Sequence, residues 1–310
     1  MKITYSIIAP IYNEIDNLPE LHRRVKEVMD SAGASWELIL VDDGSTDGST
    51  EKIRELAEAD KTVRPIIFAR NFGHQVAITA GWDYARGDAV IIIDADLQDP
   101  PETILELAKK WKEGYEVVYA VRAEREGESW FKKLTAAAFY RLIYSITDVK
   151  IPVDTGDFRL MDRKVVDVLK QMKERHRFPR GMSAWVGFRQ IGVQYNRAAR
   201  VAGVTKYPFS KMLKLALNAI TGFSYFPLQV ATFFGFVSAG VAILAIPVVI
   251  YMRIMGSGAF FGQATTLIAV LFLGGVQLIS LGILGEYIGR LYDEAKGRPL
   301  YIVRDAPEEQ

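Results

Sequence analysis

Apolar and polar positions alternate along the first two thirds of the chain in two kinds of block. Short apolar runs at Tyr5–Pro10, Leu38–Asp43, Pro65–Ala69, Ala89–Asp94 and Glu116–Val121 have the length and β-branched content of buried strands. Between them Leu18–Ala32, Ser49–Ala59, His74–Ala85 and Glu102–Glu113 carry apolar residues at helical spacing. Ser45, Thr46 and Asp47 supply a start signal ahead of the second of these helices. Two more strands are expected at Phe158–Met161 and Gln190–Tyr195. Strands alternating with helices of this length predict an α/β domain over residues 1–205, a mostly parallel sheet joined by right-handed crossovers.

The pattern changes after Phe226. Leu228–Met252 and Ala259–Gly285 are stretches of 25 and 27 residues without a charge. At about 1.5 Å per residue each is longer than the ~30 Å hydrocarbon core of a bilayer. Residues 227–290 are therefore expected to form a two-helix transmembrane hairpin, preceded by an amphipathic juxtamembrane helix over 206–226. The connection Arg253–Gly258 holds one basic residue, whereas Lys206, Lys211 and Lys214 precede the pair and Arg290, Lys296, Arg298 and Arg304 follow it. That asymmetry predicts the connection outside and both ends in the cytosol. In keeping with it, MKITYSIIAPIYNE has too short an apolar run for a secretory signal peptide. Ala231, Gly235 and Ala239, and again Gly285 and Gly289, recur at four-residue spacing. Such spacing predicts close helix packing, either within one chain or in a homo-oligomer. In the tail, 291–310, the segment Arg298–Arg304 alternates like a strand and is a candidate for pairing with another chain.

Composition narrows the classes. A formal net charge of +1 over 310 residues gives no sign of a nucleic-acid binder. The absence of cysteine rules out a disulfide framework and a thiolate metal site, which suits a reducing compartment.

The chemistry concentrates where apolar runs end. Val90–Pro101 reads VIIIDADLQDPP, a buried strand closing on two carboxylates one residue apart, Asp94 and Asp96, followed by Gln98. Loops leaving the carboxyl ends of parallel strands are where open α/β sheets bind ligands. Two hard oxygen donors there suit Mg²⁺ or Mn²⁺ completed by substrate phosphates, against the plainer reading of a solvated acidic turn. The first strand opens into APIYNE, with Pro10, Tyr12, Asn13 and Glu14, and the second into VDDGSTDGST, with Asp42 and Asp43. Each alone is ordinary turn chemistry. Three acidic strand ends on one edge crowd like charges, a cost that a metal or a ligand rich in hydroxyls relieves.

APIYNE, VDDGSTD and DADLQDPPE, in this order and spacing, resemble the nucleotide-sugar domain of family 2 glycosyltransferases, with the Rossmann-like GT-A fold. Gln98, Arg122 and RVAGVTKY at Arg200–Tyr207 narrow the resemblance to enzymes that move a sugar onto a polyprenyl phosphate, such as dolichyl-phosphate mannose synthases. With two apolar segments following, the pattern is most similar to the bacterial bactoprenol (undecaprenyl-phosphate) glucosyltransferase type. The resemblance implies that Asp94, Asp96 and Gln98 hold the divalent metal. It implies that Pro10, Tyr12, Glu14, Val41 and Asp43 line the nucleotide site, with Arg200 and Lys206 near the diphosphate. Asp157, in DTGDFR, falls where inverting members place a base-like carboxylate; its alternative is to hold a sugar hydroxyl or to orient Arg159. The Gln-x-x-Arg-Trp motif of polysaccharide synthases is missing, the corresponding region reading FPRGMSAWVGF, which counts against a processive polymerase.

An anionic acceptor also makes sense of the basic residues beyond the fifth strand. Arginine binds phosphate oxygens in a fork, and Arg122, Lys132 and Lys133 are the acceptor-phosphate candidates. Ser129–Ile146 and Pro208–Phe223 each carry an aromatic-rich apolar stripe beside lysines, as an interfacial helix does; a core helix has the same pattern. A phosphate monoester, with a second pKa near ~6, is already an anion at neutral pH and attacks without first losing a proton. The expectation is an inverting hexosyltransferase of the bacterial inner membrane with its catalytic domain in the cytosol, with glucose from UDP-glucose as the first choice. Mannose from GDP or aminoarabinose from UDP are the alternatives. A membrane-tethered binding module and a transporter stand as the competing classes. None of His22, His74 and His176 lies in a catalytic context by sequence.

Overall fold

The computed structural model describes residues 2–123, 155–196, 224–255 and 263–306. The expected helices Ser129–Ile146 and Pro208–Phe223, most of the 206–226 segment, and Lys132, Lys133, Arg200 and Lys206 lie outside the described residues. The chain divides into two compact units. One takes the residues up to 219 except a short stretch, together with 298–310; the other takes 220–297.

The first unit is one eight-stranded sheet. Its strands are β1 (Tyr5–Ile11), β2 (Trp36–Asp42), β3 (Val63–Phe68), β4 (Ala89–Ile92), β5 (Val117–Arg122), β6 (Thr155–Asp162), β7 (Gln190–Tyr195) and β8 (Val303–Asp305). They lie in the order β7-β5-β6-β4-β1-β2-β3-β8. Helices α1 (Leu18–Ser31), α2 (Ser49–Ala59), α3 (His74–Tyr84) and α4 (Thr103–Lys112) connect the first five strands. Helices α5 (Arg163–Gln171) and α6 (Pro179–Trp185) lie between β6 and β7. Every residue of β1, β2 and β4 is buried, because a parallel sheet carries helices on both faces and needs apolar side chains on both. The strand order reverses between β2 and β4 around β1, a switch point that opens a crevice at the carboxyl edge.

Two strands run against the rest, β6 between β4 and β5, and β8 at the edge. The direction of β6 decides the site. Its register pairs Ala89 with Asp162 and Ile92 with Arg159, so continuing the same ladder brings Asp94 level with Asp157. A residue near the start of β6 thereby reaches the edge where the parallel strands end. β4 stops at Ile92, two residues before Asp94, although Ile93 still donates to the Ile8 carbonyl at 2.9 Å.

The tail departs from expectation. Arg298–Arg304 was a candidate for pairing with another chain, but the strand Val303–Asp305 pairs antiparallel with β3 of its own chain. The reason is the bare edge of β3, which a short strand can cover without a partner molecule.

At the opposite, amino edge, Glu37 is buried between β1 and the α3–β4 turn. Its carboxylate accepts from Ser6 Oγ at 2.6 Å, the Arg86 N–H at 2.8 Å, Arg64 Nη1 at 3.0 Å and Arg86 Nη2 at 2.9 Å. Burial pushes its pKa up, but the Ser6 and Arg86 hydrogen bonds and the two guanidinium charges outweigh it and hold it below the ordinary value. The stabilisation is therefore complete above the ordinary carboxylate range and is lost as pH falls through the lowered folded value. Glu37→Ala is expected to cost about 3 kcal/mol, because it strands the buried Arg64 guanidinium, whereas the exposed Arg86 can turn to solvent; a denaturant titration of the detergent-solubilised chain at neutral pH and again near pH 3 checks both size and sign.

The second unit holds α7 (Phe226–Ile254) and α8 (Gln263–Ala295), which pack against each other. Tyr287 Oη donates to the Ser224 carbonyl at 2.8 Å. Both helices are long and apolar enough to cross a membrane, over Phe226–Met252 and Ile268–Ala295. Their large apolar side chains are exposed, Phe236 by 75%, Leu244 by 73% and Leu278 by 71%, which is not the packing of a soluble core hairpin. A Cβ built on Gly235, Gly285 or Gly289 would meet nothing within 4 Å. These glycines therefore make no close helix contact among the described residues of the chain, contrary to the intrachain alternative.

Candidate active site

The loops that follow β1 and β2 are laced together. Asn13 takes a left-handed backbone, φ 56°, which an asparagine tolerates. Its N–H donates to Ser45 Oγ at 3.0 Å and its Oδ1 accepts from the Thr46 N–H at 2.8 Å. The Glu14 N–H donates to Ser49 Oγ at 3.1 Å, and the Ile15 N–H to Asp47 Oδ2 at 3.2 Å. The turn chemistry read in VDDGST is thus real, and its product is a fixed rim. Gly44 is required in that rim: φ is +71°, and a Cβ there would sit 2.5 Å from the Arg70 carbonyl carbon. Pro10 and Val41 face each other in the β1–β2 ladder, and Tyr12, 43% exposed, stands beyond them. Pro10, Tyr12, Glu14, Val41 and Asp43 are thereby brought to one stretch of the edge. Asp43 does more than line it. Its carboxylate accepts from the Phe72 N–H at 2.6 Å and the Gly73 N–H at 2.9 Å, fastening the β3–α3 loop; burial pushes its pKa up.

Past β4 the chain turns sharply at Leu97, which has φ 57°. The Gln98 N–H donates to Asp96 Oδ1 at 3.1 Å. Asp94 Oδ1 is buried and accepts no hydrogen bond. Burial pushes the Asp94 pKa up to about 6, with His74 pulling it down and the Asp99, Asp157 and Asp96 charges adding to the rise. A buried carboxylate oxygen without a donor, beside further carboxylates, is a place that wants a cation. Among the described residues no group of three or more His, Cys, Asp or Glu side chains converges on a metal position. Two carboxylates and an amide fit Mg²⁺ or Mn²⁺ only where other oxygens complete the shell, as a diphosphate would.

Asp157 stands opposite and is tied down. Arg180 Nε and Nη2 donate to its two oxygens at 2.9 and 3.1 Å, and Gln75 Nε2 approaches Oδ2 at 3.4 Å. Burial disfavours its charge, yet the Arg180 and His74 interactions outweigh that and hold its pKa well below the usual carboxylate range. His74 Nε2 lies 3.4 Å from Asp157 Oδ2 and 3.6 Å from Asp94 Oδ1, between the two carboxylates that the ladder brings level. Arg159 turns elsewhere, its guanidinium donating to Ser183 Oγ and to the Gly156 carbonyl, and burial lowers its pKa to about 10. The alternative in which Asp157 orients Arg159 is therefore not what the hydrogen bonds show; the arginine it holds is Arg180.

Sequence reasoning missed His74, Gln75 and Arg180. His74 was set aside as non-catalytic, yet it begins α3 just after the loop that Asp43 fastens. Its position at a helix start, right after Gly73 in the loop that leaves the third apolar run, was the available signal; Arg180 had none.

Arg122 closes the far side. Its Nη2 passes 3.1 Å from the point where a Cβ on Gly156 would sit, so the guanidinium lies close against the backbone just before Asp157. The Tyr195 hydroxyl donates to the buried carboxylate of Asp99, and the Arg122 charge pulls the Tyr195 pKa down against the larger rise that burial and Asp99 impose. Arg122 therefore acts on the Tyr195–Asp99 pair at the end of β5.

A Rossmann-like sheet with an acidic carboxyl edge, an antiparallel strand inserted beside β4 and two apolar helices after it defines a GT-A glycosyltransferase with candidate membrane spans. The chain belongs to glycosyl transferase family 2, whose model matches residues 6–169. It is 54% identical over 302 residues to the uncharacterized glycosyltransferase YkcC of Bacillus subtilis (strain 168), covering 97% of this chain and 94% of that one. It is 43% identical over 304 residues to a prophage bactoprenol glucosyl transferase homolog of Escherichia coli (strain K12), covering 98% and 99%. With the bactoprenol glucosyl transferase of Shigella phage SfV the identity is 43% over 305 residues, covering 98% and 99%. The chain is thus an enzyme of the glycosyltransferase class.

Proposed function

We propose that this enzyme transfers a hexose, glucose from UDP-glucose being the first choice, to undecaprenyl or another polyprenyl phosphate, inverting the anomeric centre. What carries the acceptor is the 43% identity to bactoprenol glucosyl transferases over 98% of the chain, a length that includes both apolar helices. The same match supports placing the enzyme in the bacterial plasma membrane, and the basic asymmetry of the sequence supports a cytosolic site.

In this reading Asp94, Asp96 and Gln98 would hold a divalent ion, which when bound neutralises charge on the departing nucleoside diphosphate. Pro10 and Val41 shape the base pocket, Tyr12 offers a stacking face, and Glu14 and Asp43 accept from the nucleoside. Arg200 and Lys206 belong near the diphosphate, and Arg122, with Lys132 and Lys133, near the acceptor phosphate. Asp157 remains ionised, so its work is to hold Arg180 and accept from a sugar hydroxyl rather than to collect a proton. That suits the nucleophile, because an anionic phosphate brings no proton that must be removed. Fixed geometry and placed charge then carry the displacement.

Radiolabelled UDP-glucose, GDP-mannose and UDP-aminoarabinose, each incubated with the full-length enzyme, undecaprenyl phosphate and Mg²⁺ or Mn²⁺, test the reading. Label is expected in the lipid-extractable fraction from UDP-glucose, and none after chelation. Binding of nucleotide sugar without transfer would favour the binding-module alternative instead.

A further inference from the structure

The C-terminal strand meets the fold where the β3–α3 loop begins. Val303 pairs with Phe68 and Asp305 with Ile67. The Ala69 N–H donates to the Ile302 carbonyl at 2.9 Å, and Arg304 Nη2 donates to the Ala69 carbonyl at 3.1 Å. Tyr301 lays its ring on Phe68, centroids 5.1 Å apart and planes 16° from parallel. Its hydroxyl donates to Asp83 Oδ2 at 2.8 Å, next to the last residue of α3. Phe68 in turn meets Phe72 edge-on at 5.6 Å. The tail thus grips both the strand that enters the loop and the helix that leaves it. What the loop delivers is His74 and Gln75, the side chains set against Asp94 and Asp157.

Without β8, β3 would be the edge of the sheet. Edge strands open at low cost, and a loop that follows one inherits that freedom. The Asp43 carboxylate and the stacking of Arg70 on Phe72, 4.0 Å from the ring centroid, would still hold residues 70–73, but from the loop's own side alone.

We infer that the C-terminal segment 301–305, acting chiefly through Tyr301, is a positioning element of the active site: it sets the β3–α3 loop and so the place of His74 between the two level carboxylates. Tyr301 touches neither reacting group; it acts through Phe68, Phe72 and α3. The assignment of a role in turnover rests on the transferase reading above, whereas the mechanical coupling does not.

The test uses the full chain in lipid nanodiscs as wild type, Tyr301→Ala, Tyr301→Phe, His74→Ala and the two double variants. Tyr301→Phe keeps the ring stack and loses only the bond to Asp83, so it carries the test if Tyr301→Ala fails to fold. Amide exchange in a peptide spanning residues 69–76 is expected to rise about tenfold in Tyr301→Ala and roughly fivefold in Tyr301→Phe, with β1 unchanged. The kcat should fall by a similar factor with little change in the KM for nucleotide sugar. That loss should vanish in the His74→Ala background, because both changes act through one contact. Unchanged exchange at 69–76 in a folded Tyr301 variant overturns the coupling. Losses in kcat that simply multiply with His74→Ala overturn the role in turnover. A loosened loop in an enzyme that transfers no sugar to lipid would instead count against the proposed function.

Discussion

Asp96→Asn is expected to lower turnover by roughly two to three orders of magnitude while leaving the fold intact, the scale of a lost charge stabiliser in an enclosed site. The change is isosteric, and Asp96 lies in a loop past β4 rather than in the sheet, so the core that carries stability is not disturbed. Its Oδ1 still has the Gln98 N–H to accept, and an asparagine amide oxygen can take the same bond. What is lost is one of the two carboxylate charges available to a divalent ion. Asp94 offers the complementary case: its Oδ1 is buried without a hydrogen bond, so Asp94→Asn removes a charge that burial and the neighbouring carboxylates already disfavour. That variant should therefore be as inactive and at least as stable as wild type. Thermal unfolding and single-turnover transfer, measured side by side on both variants, check the pair of outcomes. Full activity of either in excess chelator would remove the metal assignment.

Asp157→Asn and Arg180→Ala are expected to fail together. Each breaks a bidentate ion pair whose carboxylate is buried and whose guanidinium is partly exposed; stranding a buried charge typically costs roughly 3–5 kcal/mol, so Arg180→Ala should cost more stability than Asp157→Asn. Part of that loss should appear as stability and part as turnover. The form of the pH profile then separates anchor from base. Arg180 and His74 hold the Asp157 pKa well below the usual range, so as an anchor Asp157 stays ionised throughout the neutral region. Its loss should then lower kcat throughout the neutral region, with no acid limb that follows its own titration. A base would behave otherwise: removing Arg180 would let its pKa rise and drive the acid limb of the profile upward. Arg180→Lys should recover little, since an ammonium cannot reproduce the two-point contact.

Much of the α/β unit was legible because its strands are buried on both faces, so Ile7, Ile8, Leu38, Ile39 and Val90 to Ile93 appear as unbroken apolar runs. The same property hides direction. Nothing in the short segment Phe158–Met161 says that β6 runs against β4, yet that reversal sets Asp157 level with Asp94. Strand-end carboxylates were legible as chemistry because acidic residues seldom end several apolar runs without a cation to meet. His74 was not, because a single histidine at a helix start is ordinary until the strand beside it is placed. The tail was misread for a related reason: β8 has three residues, too few to announce a partner, and its partner β3 is separated from it by most of the chain.

The anomeric configuration of the lipid product reports directly on how the sugar is transferred. Full-length enzyme would be given UDP-glucose carrying ¹³C at the anomeric carbon, together with undecaprenyl phosphate and Mn²⁺, and the chloroform-soluble product read by NMR. Attack by the lipid phosphate with Asp157 as an anchor predicts one species, a β-glucosyl phosphodiester, opposite in configuration to the donor. An α-linked lipid product, or label released as free glucose with none on the lipid, would contradict the account.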